Sequence, residues 1–257
     1  MQYSKAFTDA LQFVWGEGFL SPGGPAEVEA LLQGEDIAGS RALDIGSGVG
    51  GVDALLVTRH GAGEVVGIDV EPWLVEDASR RIAAMGLAHR VRFLAVEPGP
   101  LPFPDADFDL VLSKDAMVHI ADKRALYGEV LRVLKPGAAF VAADWLWSEV
   151  AGASPVVQAW LSDGPLKFEF TTPEAARRAL VEAGFEDVAM HDRSHILRQA
   201  NRQEVEFLAS PAAARLMQVA GPELARQRLA SARGRQGALD SGDLRPHHFR
   251  GRKPAAR

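Results

Sequence analysis

Two carboxylates and a run of glycines carry the chemistry that is readable first. In Arg41-Ala42-Leu43-Asp44-Ile45-Gly46-Ser47-Gly48-Val49-Gly50-Gly51 an acid precedes a turn almost free of side chains, and Asp69 closes the next apolar run about twenty residues on. Gly46, Gly48 and Gly50 permit positive φ and close backbone approach, which a nucleotide-like ligand needs. Asp69 stands where nucleoside-binding folds place the carboxylate that accepts both ribose hydroxyls. A glycine turn alone is equally an ordinary strand-to-helix connection, so its neighbours must decide. Pyrophosphate carriers rest on a helix N-terminus behind a G-x-G-x-x-G signature. Asp44, just ahead of this differently ordered turn, would repel a pyrophosphate and suits a ligand with a cationic amino acid end. These features point to S-adenosylmethionine as cofactor, with S-adenosylhomocysteine as its product.

Alternating strand and helix signals from Arg41 to Trp145 position these residues, and they spell a doubly wound α/β sheet. Strands are expected at Ala42–Ile45, Glu64–Asp69, Val91–Ala95, Phe108–Ser113 and Ala138–Asp144. Helices are expected at Val52–Arg59, Pro72–Met85 and Asp122–Leu134, the last stopped by Lys135-Pro136-Gly137. From Trp147 to Phe170 periodicity fades amid Gly152, Pro155, Gly164 and Pro165, which reads as a lid over the carboxyl edge of the sheet. Helix resumes at Pro173–Ala183, a strand follows near Val188–Ile196, and Arg202–Arg233 is mostly helical. Ahead of the first strand, Gly16 to Gly24 interrupts two helical stretches. That loop is either a cofactor cover or a plain helix-helix turn.

A chain of 257 residues, 47% hydrophobic and 24% charged, can bury one large core with a small cap. With no cysteine there are no disulfides, thiolate zinc sites or cysteine nucleophiles, and no metal is expected. No leader pattern opens the chain and no apolar run is long enough to span a bilayer, so a cytoplasmic protein without membrane attachment is expected. The net charge of −6 argues against a nucleic-acid substrate. The locally basic stretch Arg226 to Arg257 reads as a solvated surface with one edge strand near His247 to Gly251.

From Gly46 to Trp145, including Leu134-Lys135-Pro136-Gly137, the chain resembles the class I S-adenosylmethionine-dependent methyltransferases. The resemblance implies a seven-stranded Rossmann-like sheet, a lid insertion over residues 146–172 and an N-terminal helical cover over residues 1–40 ahead of the main domain, 41–257. It also implies that Glu97 after the third strand receives the adenine amino group and that Asp115 after the fourth faces the reaction centre. Gln2-Tyr3-Ser4, Trp15-Gly16-Glu17-Gly18-Phe19-Leu20-Ser21-Pro22-Gly23-Gly24 and Asp115…His119 resemble, more narrowly, the phosphoethanolamine N-methyltransferases. By that likeness Tyr3 and His119 form a catalytic latch, Asp115 holds the amine, and Leu20 and Ser21 cover the cofactor. The cofactor set then comprises Leu20, Ser21, Asp44, Gly46, Ser47, Gly48, Asp69, Val70, Trp73, Glu97, Pro98, Ser113 and Lys114.

Leu166, Phe168 and Trp145 occupy places where that family carries an arginine and tyrosines for the substrate phosphate, so its clamp looks absent and phosphoethanolamine becomes doubtful. The lid region is aromatic instead. Trp145, Trp147, Trp160 and Phe168 are expected to bind substrate, through cation–π contacts with a cation or simply as apolar packing, with Phe170 nearby. Lys167 and Arg198 could pair with a carboxylate. The expected activity is methyl transfer to a small molecule at an amine nitrogen, by a monomer or homodimer. Methylation of oxygen, sulfur or carbon, and a binding module without turnover, remain alternatives.

Overall fold

The computed structural model describes residues 3–148, 155–163 and 166–256. Gln2 and the breakers Gly152, Gly164 and Pro165 lie outside the described residues. Helices α1 (Lys5–Trp15) and α2 (Gly24–Leu31) precede the sheet. There follow β1 (Arg41–Ile45), α3 (Gly51–Thr58), β2 (Glu64–Asp69), α4 (Pro72–Ala84), β3 (Val91–Ala95), β4 (Phe108–Lys114), α5 (Lys123–Val133), β5 (Leu134–Trp147), α6 (Pro155–Asp163) and α7 (Pro173–Ala183). The chain continues with β6 (Glu186–Asp192), α8 (Ser194–Ala209), α9 (Ala214–Ala220), α10 (Pro222–Ser241) and β7 (Leu244–Arg252). The seven strands run in the order β3-β2-β1-β4-β5-β7-β6, with β7 antiparallel to both neighbours. The expected doubly wound seven-stranded α/β fold is therefore present.

Alternation along each strand divides the core. Ala42, Leu110, Leu112, Val141 and Ala143 face α2, α3 and α4, while Leu43, Ile45, Val111, Phe140 and Ala142 face α5 and α7. Strands buried on both faces are what read as near-continuous apolar runs. Helix starts agree with their caps: the Asp122 carboxylate receives the Ala125 N–H at 2.9 Å and the Thr172 hydroxyl receives the Ala175 N–H at 3.1 Å. Among the described residues no helix is long and apolar enough to cross a membrane.

The carboxyl half departs from expectation in four places. The sixth strand ends at Asp192, because its carboxylate receives the Ser194 N–H at 2.7 Å and turns the chain into α8; Ile196 is thus helical. The stretch expected as mostly helical extends from Ser194 to Ser241 as three helices, divided near Ser210-Pro211 and Gly221-Pro222. His247 to Gly251 is not at an edge: β7 pairs with β5 on one side and β6 on the other. Trp145 and Trp147 belong to β5 rather than the lid, whose described residues include α6.

Candidate functional site

The turn after β1 hangs from one carbonyl, with the Gly46 and Ser47 N–H groups both donating to Ile68 O at 2.9 and 3.0 Å. Gly46 has φ of +80°, and a Cβ there would lie 2.2 Å from the Ala116 Cβ, so only glycine fits. The turn thereby passes directly beside the loop that carries Asp115. At the end of β2, Asp69 accepts the Gly48 and Glu71 N–H groups, each at 3.0 Å. Burial raises its pKa, opposed by those backbone donors.

Asp44 is almost fully buried, and one of its carboxylate oxygens has no hydrogen-bond partner. Burial pushes its pKa up to about 7. The sequence reading passed over Asp53, buried in the first turn of α3, where burial and the Asp44 carboxylate hold its pKa well above the usual range. The two acids act as a pair that favours holding a proton. A side-chain-free turn, a carboxylate at the end of β2 and an unpartnered carboxylate oxygen are the groups an adenosyl amino acid needs. Glu97 and Pro98 are exposed just past β3, and Val70 is exposed beside Asp69. Trp73, in the first turn of α4, has a buried indole N–H without a partner.

Ser113 and Lys114 do structural work. The Ser113 hydroxyl is buried and donates to Ile45 O at 2.9 Å, tying β4 to β1. Lys114 Nζ donates to Ser21 Oγ at 2.6 Å, Pro22 O at 2.9 Å and Asp115 Oδ2 at 2.8 Å. One ammonium thus fastens the glycine-rich N-terminal loop to the end of β4. The loop also touches α3: the Gly51 N–H donates to Gly18 O at 3.2 Å, and a Gly51 Cβ would sit 2.2 Å from that oxygen.

Asp115 has φ of +55°, a conformation that non-glycine residues adopt rarely and that marks functional turns. Four residues on, His119 ends a short 3₁₀ helix, Met117–His119, anchored by the Val118 N–H donating to Asp144 Oδ1 at 3.1 Å. The His119 ring lies 2.6 Å from Lys167 O through Nδ1 and 3.5 Å from the Tyr3 hydroxyl through Nε2. Burial lowers the His119 pKa and raises that of Tyr3, so both are neutral. A neutral imidazole donating from Nδ1 leaves Nε2 as its acceptor. Tyr3, Asp115 and His119 together line a cavity of about 530 Å³.

Leu20, Ser21, Trp145, Trp160 and Phe168 line the same cavity. Trp147 does not; it packs on Phe170 with ring centroids 4.8 Å apart. Phe168 is stacked between His119 and Trp145, at 5.5 and 6.0 Å. Arg198, read as able to pair with a carboxylate, reaches Asp240 of its own chain at 3.4 Å and donates to Leu239 O at 2.6 Å.

The largest surprise is α10, which forms a wall from Leu224 to Arg235. Arg228 and Arg235, within the stretch expected as solvated surface, are each only 3% exposed. Both pair with a single carboxylate, Glu204 of α8, at 2.9 and 2.5 Å, and the Trp15 indole donates to it at 2.9 Å. Arg228 also lies 4.8 Å over the Trp15 ring. Two guanidiniums against one carboxylate leave a surplus positive charge on the cavity wall. Burial lowers the Arg228 pKa to about 10, and its Nε–H has no partner.

Residues 42–137 match the methyltransferase domain family. The chain is similar to methyltransferases along most of its length. It is 28% identical to phosphoethanolamine N-methyltransferase 1 of Arabidopsis thaliana over 207 residues, which is 80% of this chain and 41% of that protein. It is 31% identical to a sterol 24-C-methyltransferase of Aspergillus fumigatus over 159 residues, 57% of this chain and 42% of that one. The domain's fold matches a Haemonchus contortus phosphoethanolamine N-methyltransferase 2, solved with phosphomonomethylethanolamine and S-adenosylhomocysteine, with a TM-score of 0.91 at 22% identity. That match covers 99% of this chain and 59% of the other. The chain spans about two fifths of the length of the curated relatives it matches.

Proposed function

We propose that the domain is an S-adenosylmethionine-dependent N-methyltransferase for a small molecule with an amine at one end and an oxyanion at the other. The observation that carries this reading is the polarity of one cavity: Asp115 and neutral His119 at one end, two guanidiniums sharing one carboxylate on the α10 wall. It also answers the missing lid arginine, since basic groups return on α10, in a stretch that the sequence pattern read as solvated surface.

When bound, S-adenosylmethionine supplies an electrophilic methyl group on a sulfonium. Asp69 would accept the ribose hydroxyls, Asp44 would face the amino acid end, Glu97 and Pro98 would flank the adenine with Val70 and Trp73, and Leu20 and Ser21 would close over it. Asp115, one oxygen of which is held by Lys114 Nζ, would receive the substrate ammonium at the end of β4 on its other oxygen. An ammonium has no lone pair, so one proton must leave before nitrogen can attack. His119 Nε2 takes it, because at 3.5 Å the Tyr3 contact is at the limit of a hydrogen bond and leaves that lone pair open. Tyr3, its pKa raised by burial and then by the Asp69 and Asp115 carboxylates, stays protonated and closes the site against water.

The test is mass spectrometry of products from a panel of amino acids, aminoalkyl phosphates and hydroxylated analogues incubated with the donor. N-methylated products confined to acceptors that also carry an acid are expected; methyl transfer to oxygen or carbon alone would overturn the reading.

A further inference from the structure

The α10 wall of the cavity is long and mostly polar, running from Leu224 to Arg235, about 16 Å at ~1.5 Å per residue, while the lining contributed by the other elements is largely apolar. An amine and an acid separated by two carbons span only about 5 Å. Neither Asp69 nor the glycine turn lines this space, so it lies beyond the adenosyl cleft. Its volume of about 530 Å³ falls in the ~300–1,000 Å³ range of pockets that enclose molecules of drug size.

The lining between the ends is Phe7, Leu11, Trp145, Trp160, Leu166 and Phe168. Phe168 stacks on Trp145 at 27° and is tilted by 36° against Trp160, with centroids 6.0 and 5.6 Å apart, so the three rings form one aromatic cluster on the cavity wall. Apolar surface of this kind is stabilised by an apolar occupant and gains nothing from water. Two polar groups within the lining lack partners: the Trp145 indole N–H and the Arg228 Nε–H, on residues 8% and 3% exposed. Both are donors, and unpaired buried donors call for acceptors supplied from elsewhere.

Building on the amine reading above, we propose that the acceptor carries a flat, ring-containing body between its amine and its oxyanion, and that Trp145, Trp160 and Phe168 select for that body. A headgroup-sized amino acid or amino phosphate would reach one charged end and leave the apolar stretch unfilled.

The test uses the full chain saturated with S-adenosylhomocysteine and matched probes: 4-(aminomethyl)benzoate against 6-aminohexanoate, which spans a similar distance without a ring, and 4-(aminomethyl)phenylphosphonate to separate carboxylate from phosphorus oxyanion. Calorimetry and quenching of tryptophan fluorescence read binding. A ring-bearing probe is expected to bind at least about tenfold more tightly than 6-aminohexanoate, with the better of the two ring acids naming the oxyanion. Phe168→Ala, and Phe168→Leu should the first variant fold poorly, are expected to bring that ratio to within about twofold. Equal or tighter binding of 6-aminohexanoate, a ratio unmoved by Phe168 substitution, or no binding of either ring acid at millimolar concentration overturns the proposal. Turnover separates the two readings. Ringless amines methylated on nitrogen with better efficiency would sink the ring-selection proposal alone, and a bound ring acid that is methylated only on oxygen would sink the amine reading alone.

Discussion

Removing the Asp69 carboxylate offers a sharp test of the donor cleft, because its effects on binding and on stability can be worked out separately. Hydrogen bonds to a charged group contribute about 1.5–3 kcal/mol each, so losing two from a ribose costs about 3–6 kcal/mol, or roughly 10²–10⁴-fold in Kd. The same carboxylate receives the Gly48 and Glu71 N–H groups. Leaving two backbone donors without it costs about 1 kcal/mol each, which in a domain of this size lowers Tm by about 4–8 °C. Asp69→Ala is therefore expected to fold, melt somewhat earlier and bind S-adenosylhomocysteine at least a hundredfold more weakly in calorimetry well below its melting range. Asp69→Asn, which keeps one acceptor oxygen, should fall between. A Kd for the alanine variant within about threefold of wild type would remove Asp69 from the cleft and with it the reading of the glycine turn.

His119→Ala should lower turnover about 10²–10³-fold with donor affinity unchanged, a wild-type rate being the outcome that removes it from proton transfer. Because desolvation lowers the His119 pKa, the neutral base is expected to prevail from below the ordinary imidazole value, ~6.5; a kcat limb centred above that value would contradict this. Asp144, buried with one oxygen unpartnered, has its pKa pushed up to about 8. A raised pKa contributes stability that is fully present below the unfolded carboxylate value and is lost as pH rises through 8, at up to ~1.4 kcal/mol per unit. Asp144→Asn should flatten that dependence in denaturant melts between pH 5 and 8, and an unchanged slope would show that Asp144 is ionised in the fold. Gly51→Ala puts a Cβ 2.2 Å from Gly18 O, so it should loosen the cover, cost about 1–3 kcal/mol and speed amide exchange in α1; native exchange in α1 would show that the cover does not depend on this contact.

The glycine turn and the carboxylate after β2 were legible because backbone geometry constrains them. A turn that must pass beside Ala116 and Leu20 leaves glycine at defined positions, and a strand end that must present a carboxylate leaves Asp69 after an apolar run. Local spacing reports such constraints directly. Tyr3 and His119 lie 116 residues apart, so no periodicity brings them together, and only family resemblance did. Asp53 was missed for a related reason: in the first turn of a helix an acid reads as a favourable partner of the macrodipole, and nothing local says that it faces Asp44. The edge placement of β7 failed differently, since the basic stretch around it suggested a solvated surface. Arg245 is paired to Asp192, and Arg250 and Arg252 to Glu35, which lets a basic strand run inside the sheet.

The α10 wall shows why charge in a sequence is a poor guide to exposure. Arg228 and Arg235 are seven residues apart, hence on one helix face, yet Arg226 and Arg233 offer the same spacing on another and stay exposed. What separates the pairs is Glu204 and the Trp15 ring, contributed by distant helices. Burying two guanidiniums with one carboxylate is costly, and apolar residues of similar volume would stabilise that junction at least as well. A surplus charge kept there at the expense of stability is better explained by what enters the cavity than by what holds the helices together. Asp115, at a φ of +55° and paired through one oxygen with Lys114, is the group in the same cavity that the proposed reading matches to the cation of the acceptor.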